Sequence, residues 1–400
     1  MKHGRRRVVL GLSVVGLWAA ASHAGAQFPW AGARALGMGG AQVAAVDDAS
    51  AAWSNPAALG RLDGWNVQIL GGGVASSRND LLRTIDTLTG LPFDAIADGQ
   101  SLDRLPELID GISRLSLEDT SVLFSGVAGI AASYKGFALS VGDVPYAAVY
   151  PVIDLVHIVP TGGPANGLAF NQTGLSFAGL SAREIRLAYG RGFLGEKVLV
   201  GGAARLVFGR SYFEHCGVFG DCADKSLAAI VREAFQENAR DSTRFAFDLG
   251  AMVDLDIFRA GITGVSLNQP HFDVAAVPAA PATVPLPRQL RAGIAVDPLP
   301  FLTVAADGDL LGGDTLAPAA TSRQLSFGVE GRLPLFVLRV GALHDFAASD
   351  PHWAVSAGVG WRGPVLAIDA SVLLSPKGGV NPSDLDRQDL GAALGVRLHF

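Results

Sequence analysis

Apolar residues alternate with small or polar residues along residues 288–400, and this period of two constrains the fold more than any other feature of the sequence. In the last strand-like stretch one parity holds Leu390, Ala392, Leu394, Val396, Leu398 and Phe400, and the other holds Asp389, Gly391, Ala393, Gly395, Arg397 and His399. Successive side chains of a β-strand point to opposite faces, so the pattern predicts strands with one apolar face. A soluble two-sheet sandwich would give the same alternation.

The same pattern extends towards the N-terminus, so the predicted fold class is all-β. The predicted strands are residues 65–76, 120–134, 136–148, 180–193, 196–213, 242–255, 257–269, 288–297, 300–311, 321–333, 335–346, 351–362, 364–374 and 387–400. An even number of strands is expected for a bacterial membrane barrel. Residues 65–400 are therefore predicted to form a transmembrane antiparallel β-barrel of about 14 strands.

The connections between these strands distinguish a barrel from a sandwich. Every second connection is a tiny turn, at residues 135–136, 194–196, 256, 298–299, 334 and 363–364. The connections between them are mostly long, at residues 77–119, 149–179, 214–241, 270–287, 312–320 and 375–386, while 347–350 is short. Short periplasmic turns that alternate with long outer loops are typical of outer-membrane barrels.

The composition also favours a membrane barrel. Charged residues make up 17% of the chain, against about 25% in typical soluble proteins, and the mean hydropathy is +0.33. After residue 26 no apolar run reaches the roughly 18 residues of a spanning helix, so no transmembrane helix is predicted. The sequence has no basic patch interleaved with aromatic residues, which argues against nucleic-acid binding.

Residues 1–26 have the organisation of a signal peptide. Lys2 and Arg5–Arg7 form a positive start, an apolar run follows, and Ala24–Ala26 is a small-residue cleavage site. We therefore expect export to the cell outer membrane, where membrane lipid is a partner. The aromatic Phe400 resembles the terminal residue that the β-barrel assembly machinery reads, which makes this machinery a partner during insertion.

Residues 27–64 break the alternation and are predicted to form a compact N-terminal plug, or hatch, inside the barrel. Glycines permit tight backbone bends, and an Asn-Pro pair favours a turn. The glycines do not have the GxGxxG spacing, so a nucleotide site is not predicted. The residues that define this plug motif are Arg34, Gly37, Gly39, Gly40, Asp47, Asp48, Trp53, Asn55 and Pro56.

Three pieces of this segment resemble the start of FadL/TodX-type outer-membrane proteins and of the related PorV-like and conjugal transfer TraF-like groups. They are GARALGMGG at 32–40, DDASAAW at 47–53 and NPAAL at 55–59. Residues 287–295 and 322–328 are most similar to the TraF-like group. The resemblance implies a barrel with an N-terminal plug in its lumen, and FadL itself passes long-chain fatty acids.

Charged residues on the inward-facing parity of the strands are expected in the lumen, because a charge that faces lipid is costly. The candidate lumen-lining residues are Arg186, Arg205, Asp248, Arg291, Glu330, Arg339 and Arg397. Asp47 and Asp48 are expected to pair with Arg34, with lumen arginines or with backbone amides. A calcium site is the weaker alternative, since it needs about six or more oxygen ligands.

Two long loops and a cysteine pair are further features of the outer side. Cys216 and Cys222 favour a disulfide in an exported protein, whereas a metal site has His215 alone nearby. Apolar stripes within 102–115 and 224–240 predict helices, which either pack on the barrel rim or form an apolar groove that gathers a ligand. Aromatic residues with lipid-facing parity predict interfacial girdles, and they include Trp353, Trp361, Phe336, Tyr189 and Phe208.

The sequence leaves two functions open. The first is FadL-like passive transport of hydrophobic small molecules across the outer membrane, with such a molecule bound in the lumen. The second is an envelope component or partner-binding barrel of a conjugal transfer (TraF-like) system, which contacts envelope or conjugation proteins. GxSxG, HExxH and CxxC motifs do not occur, so no enzymatic activity, catalytic residue, metal or cofactor is predicted.

Overall fold

The computed structural model describes residues 31–89, 91, 100–117, 119–154, 173–217, 227–277, 280–318, 320–349, 353–375 and 389–400. The predicted signal peptide and Cys222 lie outside the described residues. The strands, numbered in chain order, are β1 Asn66–Arg78, β2 Ser121–Tyr134, β3 Phe137–Val152, β4 Gly174–Phe193, β5 Val198–Gly217, β6 Ala239–Leu255, β7 Phe258–Val265, β8 His271–Asp273, β9 Thr283–Pro285, β10 Gln289–Leu299, β11 Leu302–Asp309, β12 Gly313–Asp314, β13 Thr321–Ser322, β14 Gln324–Arg332, β15 Phe336–Asp345, β16 Trp353–Arg362, β17 Leu366–Leu374 and β18 Asp389–His399. The helices are α1 Gly32–Gly37, α2 Ala51–Ser54, α3 Leu81–Thr89, α4 Leu105–Leu115 and α5 Leu227–Gln236, with 3-10 helices at Pro56–Arg61 and Leu102–Arg104.

Fourteen of these strands close into one antiparallel barrel, which confirms the predicted fold class. Its order is β1-β2-β3-β4-β5-β6-β7-β10-β11-β14-β15-β16-β17-β18, and β18 pairs with β1. In that closing pair Asn66 lies opposite His399 and Ser76 lies opposite Asp389. Each of the fourteen predicted strands is found. The ends differ by a few residues, and β7 stops at Val265 because Ser266 has a positive φ of 51°.

Strands β3, β4 and β5 are longer than predicted. Their pairing continues past the apolar alternation into the regions predicted as loops 149–179 and 214–241, where Tyr150 lies opposite Ser176 and Ser176 lies opposite His215. Backbone hydrogen bonds between strands do not depend on apolar side chains, so strand pairing can continue beyond the residues that show the alternation. The long loops are correspondingly shorter than expected.

The outward face of the barrel is an apolar belt. Leu187 on this face is 59% exposed, whereas Arg186 beside it is 1% exposed. The five aromatic residues expected in the interfacial girdles are each 40–49% exposed. Soluble monomers rarely expose so large a contiguous apolar surface, and an apolar band of this kind is the lipid-facing surface of a membrane barrel.

The helices of the long loops pack on the outside of the barrel rim. Leu81, Leu88 and Leu115 of α3 and α4 form one apolar cluster with the rim residues Val122 and Val149. Similarly, Ala234 of α5 lies in a cluster with Phe177 and Tyr212, and the rings of Phe235 and Tyr212 are 4.2 Å apart. Within the described residues the rim-packing alternative is therefore the correct one.

No helix among the described residues is long and apolar enough to cross a membrane.

Candidate functional site

Residues 31–64, here called the N-terminal segment, lie against the inner face of the barrel wall. All residues from Ala31 to Leu59 are buried except Asp47, which is partly exposed. The segment is bonded to inward-facing side chains of several strands. Ser371 donates to Ala33 O (2.6 Å), Ser356 donates to Gly37 O (3.1 Å), Asp307 accepts from the backbone N–H groups of Gln42 (2.7 Å) and Val43 (2.8 Å), and Arg186 donates to Ala52 O (2.5 Å).

Glycine lets the segment approach the wall closely. Gly39 has a φ of +65°, and a Cβ there would lie 2.6 Å from the carbonyl oxygen of Ala342 on β15. Only glycine adopts this conformation freely and leaves space for the neighbouring backbone. Asn55 organises the other end of the segment, because its side chain accepts from Ala57 N (3.1 Å) and donates to Val43 O (3.0 Å). The 3-10 helix that begins at Pro56 then leads towards β1.

Glu330 on β14 is the centre of the largest charge network in the described part of the lumen. It is fully buried and bonds to Arg34 of the N-terminal segment at 2.8 and 3.0 Å. It also accepts from Arg332 (2.8 Å) and Arg339 (2.7 Å). A buried carboxylate is stable when its charge and lone pairs are satisfied in this way.

Asp47 and Asp48 join this network, as expected from the sequence. Asp47 pairs with Arg34, and Asp48 accepts from Arg397 Nη1 at 3.1 Å. Backbone N–H of Ser50 also donates to Asp48. In the part of the chain that the structure describes, no group of three or more potential metal ligands is found.

A second network lies on β4, β5 and β6. Arg186 bonds to Glu184 (2.6 Å), and Arg205 bridges Glu184 (2.9 Å) and Asp248 (2.8 Å). Trp53 of the N-terminal segment lies over Arg186, with 6.0 Å between the guanidinium carbon and the ring centre. The structure places every candidate lumen-lining residue in the interior, namely Arg186, Arg205, Asp248, Arg291, Glu330, Arg339 and Arg397.

Towards the long loops the lumen changes character and becomes apolar on the side of β2–β6. Buried inward-facing residues of this wall form one cluster, here called the upper apolar cluster. Its wall residues include Leu123, Val127, Val144, Tyr146, Leu180, Val207 and Phe213, and loop residues Phe272, Val274, Val284, Leu286, Ala317 and Ala320 pack onto them. The lumen of a membrane barrel is usually polar, so this wall is exceptional.

The upper apolar cluster was not predicted from the sequence. A signal for it exists, since Val122, Leu123 and Phe124 are apolar on both parities of β2, and Leu180 is apolar on the inward parity of β4. Strands that are apolar on both faces are buried on both sides. In this barrel one of those sides is the lipid and the other is the lumen.

A buried arginine connects three loops at the rim. Arg78 at the end of β1 bonds to Asp119 (2.5 Å), to the carbonyl oxygen of Thr321 (2.6 Å) and to Asp345 (2.8 Å), and we call this group the rim latch. Burial raises the pKa of Asp119, while the charge of Arg78 acts in the opposite direction. The sequence gives no indication of this group, because its members lie far apart in the chain.

Ser176 and His215 form another pair at the rim, which was not predicted from their spacing in the sequence. They lie opposite each other on β4 and β5, with 2.9 Å between Ser176 Oγ and His215 Nδ1. This contact is a cross-strand hydrogen bond. Cys216 follows at the end of β5, and since Cys222 is outside the described residues, the disulfide stays a prediction.

Comparisons with known proteins agree with this architecture. The family model described as "F plasmid transfer operon, TraF, protein" matches residues 52–309. Three similar solved structures are a CymD monoaromatic hydrocarbon channel (TM-score 0.52, 15% identity, 92% of this chain and 97% of that chain), a deltaS2 mutant of the TodX monoaromatic hydrocarbon channel (0.53, 14%, 94% and 100%) and the P. putida toluene transporter TodX (0.50, 13%, 94% and 99%). At these identities the likeness shows the fold. No curated protein matches the chain.

Proposed function

Since the chain belongs to the family of the F plasmid transfer operon TraF protein, and since its barrel is of the FadL/TodX type, we propose that it passively transports hydrophobic small molecules across the outer membrane. The upper apolar cluster is the observation that carries this proposal. Water-filled pores have polar walls, whereas this wall offers apolar side chains to whatever enters from the loops. Burial of apolar surface there would favour a hydrophobic solute.

The solute would enter between the long outer loops, bind at the upper apolar cluster and then pass the N-terminal segment, which acts as the plug. Bonds from Glu330 and Asp307 hold that segment to the wall. Passage therefore requires a local rearrangement of the plug. Diffusion down a gradient needs neither a metal nor a nucleotide. Export by the predicted signal peptide and insertion by the β-barrel assembly machinery would place the barrel in the outer membrane.

Lipid extraction and mass spectrometry of the purified protein test this proposal. We expect an apolar molecule to co-purify with the wild type, and we expect Leu180→Gln in the upper apolar cluster to lose it. Leu343→Gln is the matched control, because Leu343 is also a buried leucine of the wall but lies in a different cluster. The proposal is wrong if no apolar ligand is found under any growth condition, or if both variants lose it equally.

A second candidate function is that of an envelope component in a conjugal transfer system. The family match favours it, and so does the lower lumen, which is filled by the N-terminal segment and paired charges. In a donor strain that lacks the gene, we would compare mating efficiency after complementation with wild type and with Leu180→Gln. Full restoration of mating by Leu180→Gln would support the envelope role. Restoration by the wild type alone would mean that mating depends on ligand binding.

A further inference from the structure

Hairpin β8–β9 lies in the mouth of the barrel without forming part of its wall. It is a separate two-stranded sheet in which Phe272 pairs with Val284. The apolar side chains of the hairpin and of the residues beside it, Phe272, Val274, Val284 and Leu286, belong to the upper apolar cluster. A loop therefore fills the apolar part of the lumen with its own side chains.

The ring of Phe272 rests on a glycine of the wall. It is fully buried, and a Cβ added to Gly209 on β5 would lie 2.1 Å from its Cδ1 atom and 2.2 Å from its Cε1 atom. The next inward-facing residues along β5, Val207 and Ser211, are also fully buried. Gly209 thus forms a notch in the wall into which one ring fits.

Among the described residues, the space beside the upper apolar cluster at Leu123 and Tyr146 is too small for a solute. A cavity of about 10 Å³ is bordered by Leu123, Tyr146 and Leu316, which is close to the least space that holds one water molecule. An apolar solute can reach the wall of the cluster if the hairpin moves.

Polar contacts at the mouth hold the hairpin. Arg244 on β6 pairs with Asp273 at 3.0 Å and donates to His271 O at 2.8 Å, and Ser211 donates to Asp273 O at 2.6 Å. The side chains of Arg244 and Asp273 are 38% and 43% exposed. Ion pairs this accessible to water contribute little to stability. The burial of Phe272, together with that of Val274, Val284 and Leu286, therefore contributes more than this ion pair to holding the hairpin in the lumen.

We infer that Phe272 occupies the binding position of the transported solute, so that solute binding displaces hairpin β8–β9. The solute replaces the ring on Gly209 and recovers the apolar contacts that Phe272 gives up. Because the notch is one ring wide, it accepts an unbranched chain or a single ring and excludes a bulky cage. This role of Phe272 rests on the proposed transport function.

Binding of radiolabelled decane and adamantane to the full chain in nanodiscs tests the role, with empty nanodiscs as the partition control. Wild type should bind decane and not adamantane. Phe272→Ala should bind decane about tenfold more tightly, since the competing burial of a phenyl ring is removed. Arg244→Gln loosens the hairpin without creating a cavity, so it should also tighten binding, by about threefold.

The Gly209→Ala variant tests whether the solute binds in the notch, separately from whether the hairpin is displaced. Its new methyl group displaces Phe272 but fills the notch, so decane binding should weaken, while the control Gly71→Ala has open space and should bind as wild type does.

Hydrogen exchange of residues 271–273 and 283–285 should accelerate when decane saturates the wild type. Unchanged exchange, together with equal decane affinity of wild type and Phe272→Ala, would overturn the role of Phe272 and leave transport standing. Absence of decane binding in every variant would overturn transport itself.

Discussion

Glu330 is the carboxylate on which the attachment of the N-terminal segment most depends. Replacing it with glutamine leaves Arg34, Arg332 and Arg339 without their shared counter-charge in a buried site. Removal of one member of a buried ion network typically costs about 3–5 kcal/mol. We expect Glu330→Gln to lower the free energy of unfolding in urea by that amount, and Glu196→Gln, on an exposed turn, to change it by less than about 0.5 kcal/mol. If Arg34→Gln and Glu330→Gln had strictly additive effects in the double variant, the two residues would not be coupled.

The same residues show what can and what cannot be predicted from the parity of residues along a strand. Glu330 and Arg339 have the inward parity of their strands, so their place in the lumen followed from a period of two and from the cost of a charge in lipid. The partner of Glu330 did not follow, because Arg34 is 296 residues away in the chain. The contact between Arg34 and Glu330 depends on the path of the N-terminal segment through the lumen, and the alternation along the strands does not specify that path.

At the scale of elements, the rim latch makes the stability of the loops depend on pH. Loss of Arg78 removes the attraction that opposes the raised pKa of Asp119, so the pKa rises further in Arg78→Gln. An acid with a raised pKa in the folded state binds its proton more tightly there, so the loop is stabilised as the pH falls through that pKa. Hydrogen exchange of residues 79–91, corrected for intrinsic rates, should be faster in Arg78→Gln than in wild type at neutral pH and should slow as the pH falls towards about 4. If hydrogen exchange still slowed at low pH in the double variant Arg78→Gln/Asp119→Asn, protonation of Asp119 would not be the cause.

Some secondary-structure elements are easier to predict from the sequence than others. Each barrel strand has lipid on one face, so its outward parity is apolar over many residues and the alternation is long enough to recognise. Helices α4 and α5 were predicted from apolar stripes, but α3 was missed inside the long loop 77–119. Strands β8 and β9 are three residues each, and no period can be read from so short a stretch.

For the whole molecule, the apolar belt and the closure of β18 on β1 predict how the protein behaves outside a membrane. A closed barrel has no free strand edge and resists detergent until it is heated, so unheated and boiled samples should migrate differently in gel electrophoresis. Leu187→Arg places a charge on the 59% exposed belt position and should lower stability by about 2–4 kcal/mol, with a smaller folded fraction on the gel. Arg183→Leu, at an exposed position on the same face of the same strand, is the control and should fold as wild type does. A protein that is freely soluble without detergent, or that migrates identically before and after boiling, would not be a membrane barrel, and both the transport and the envelope function would then be lost with the fold.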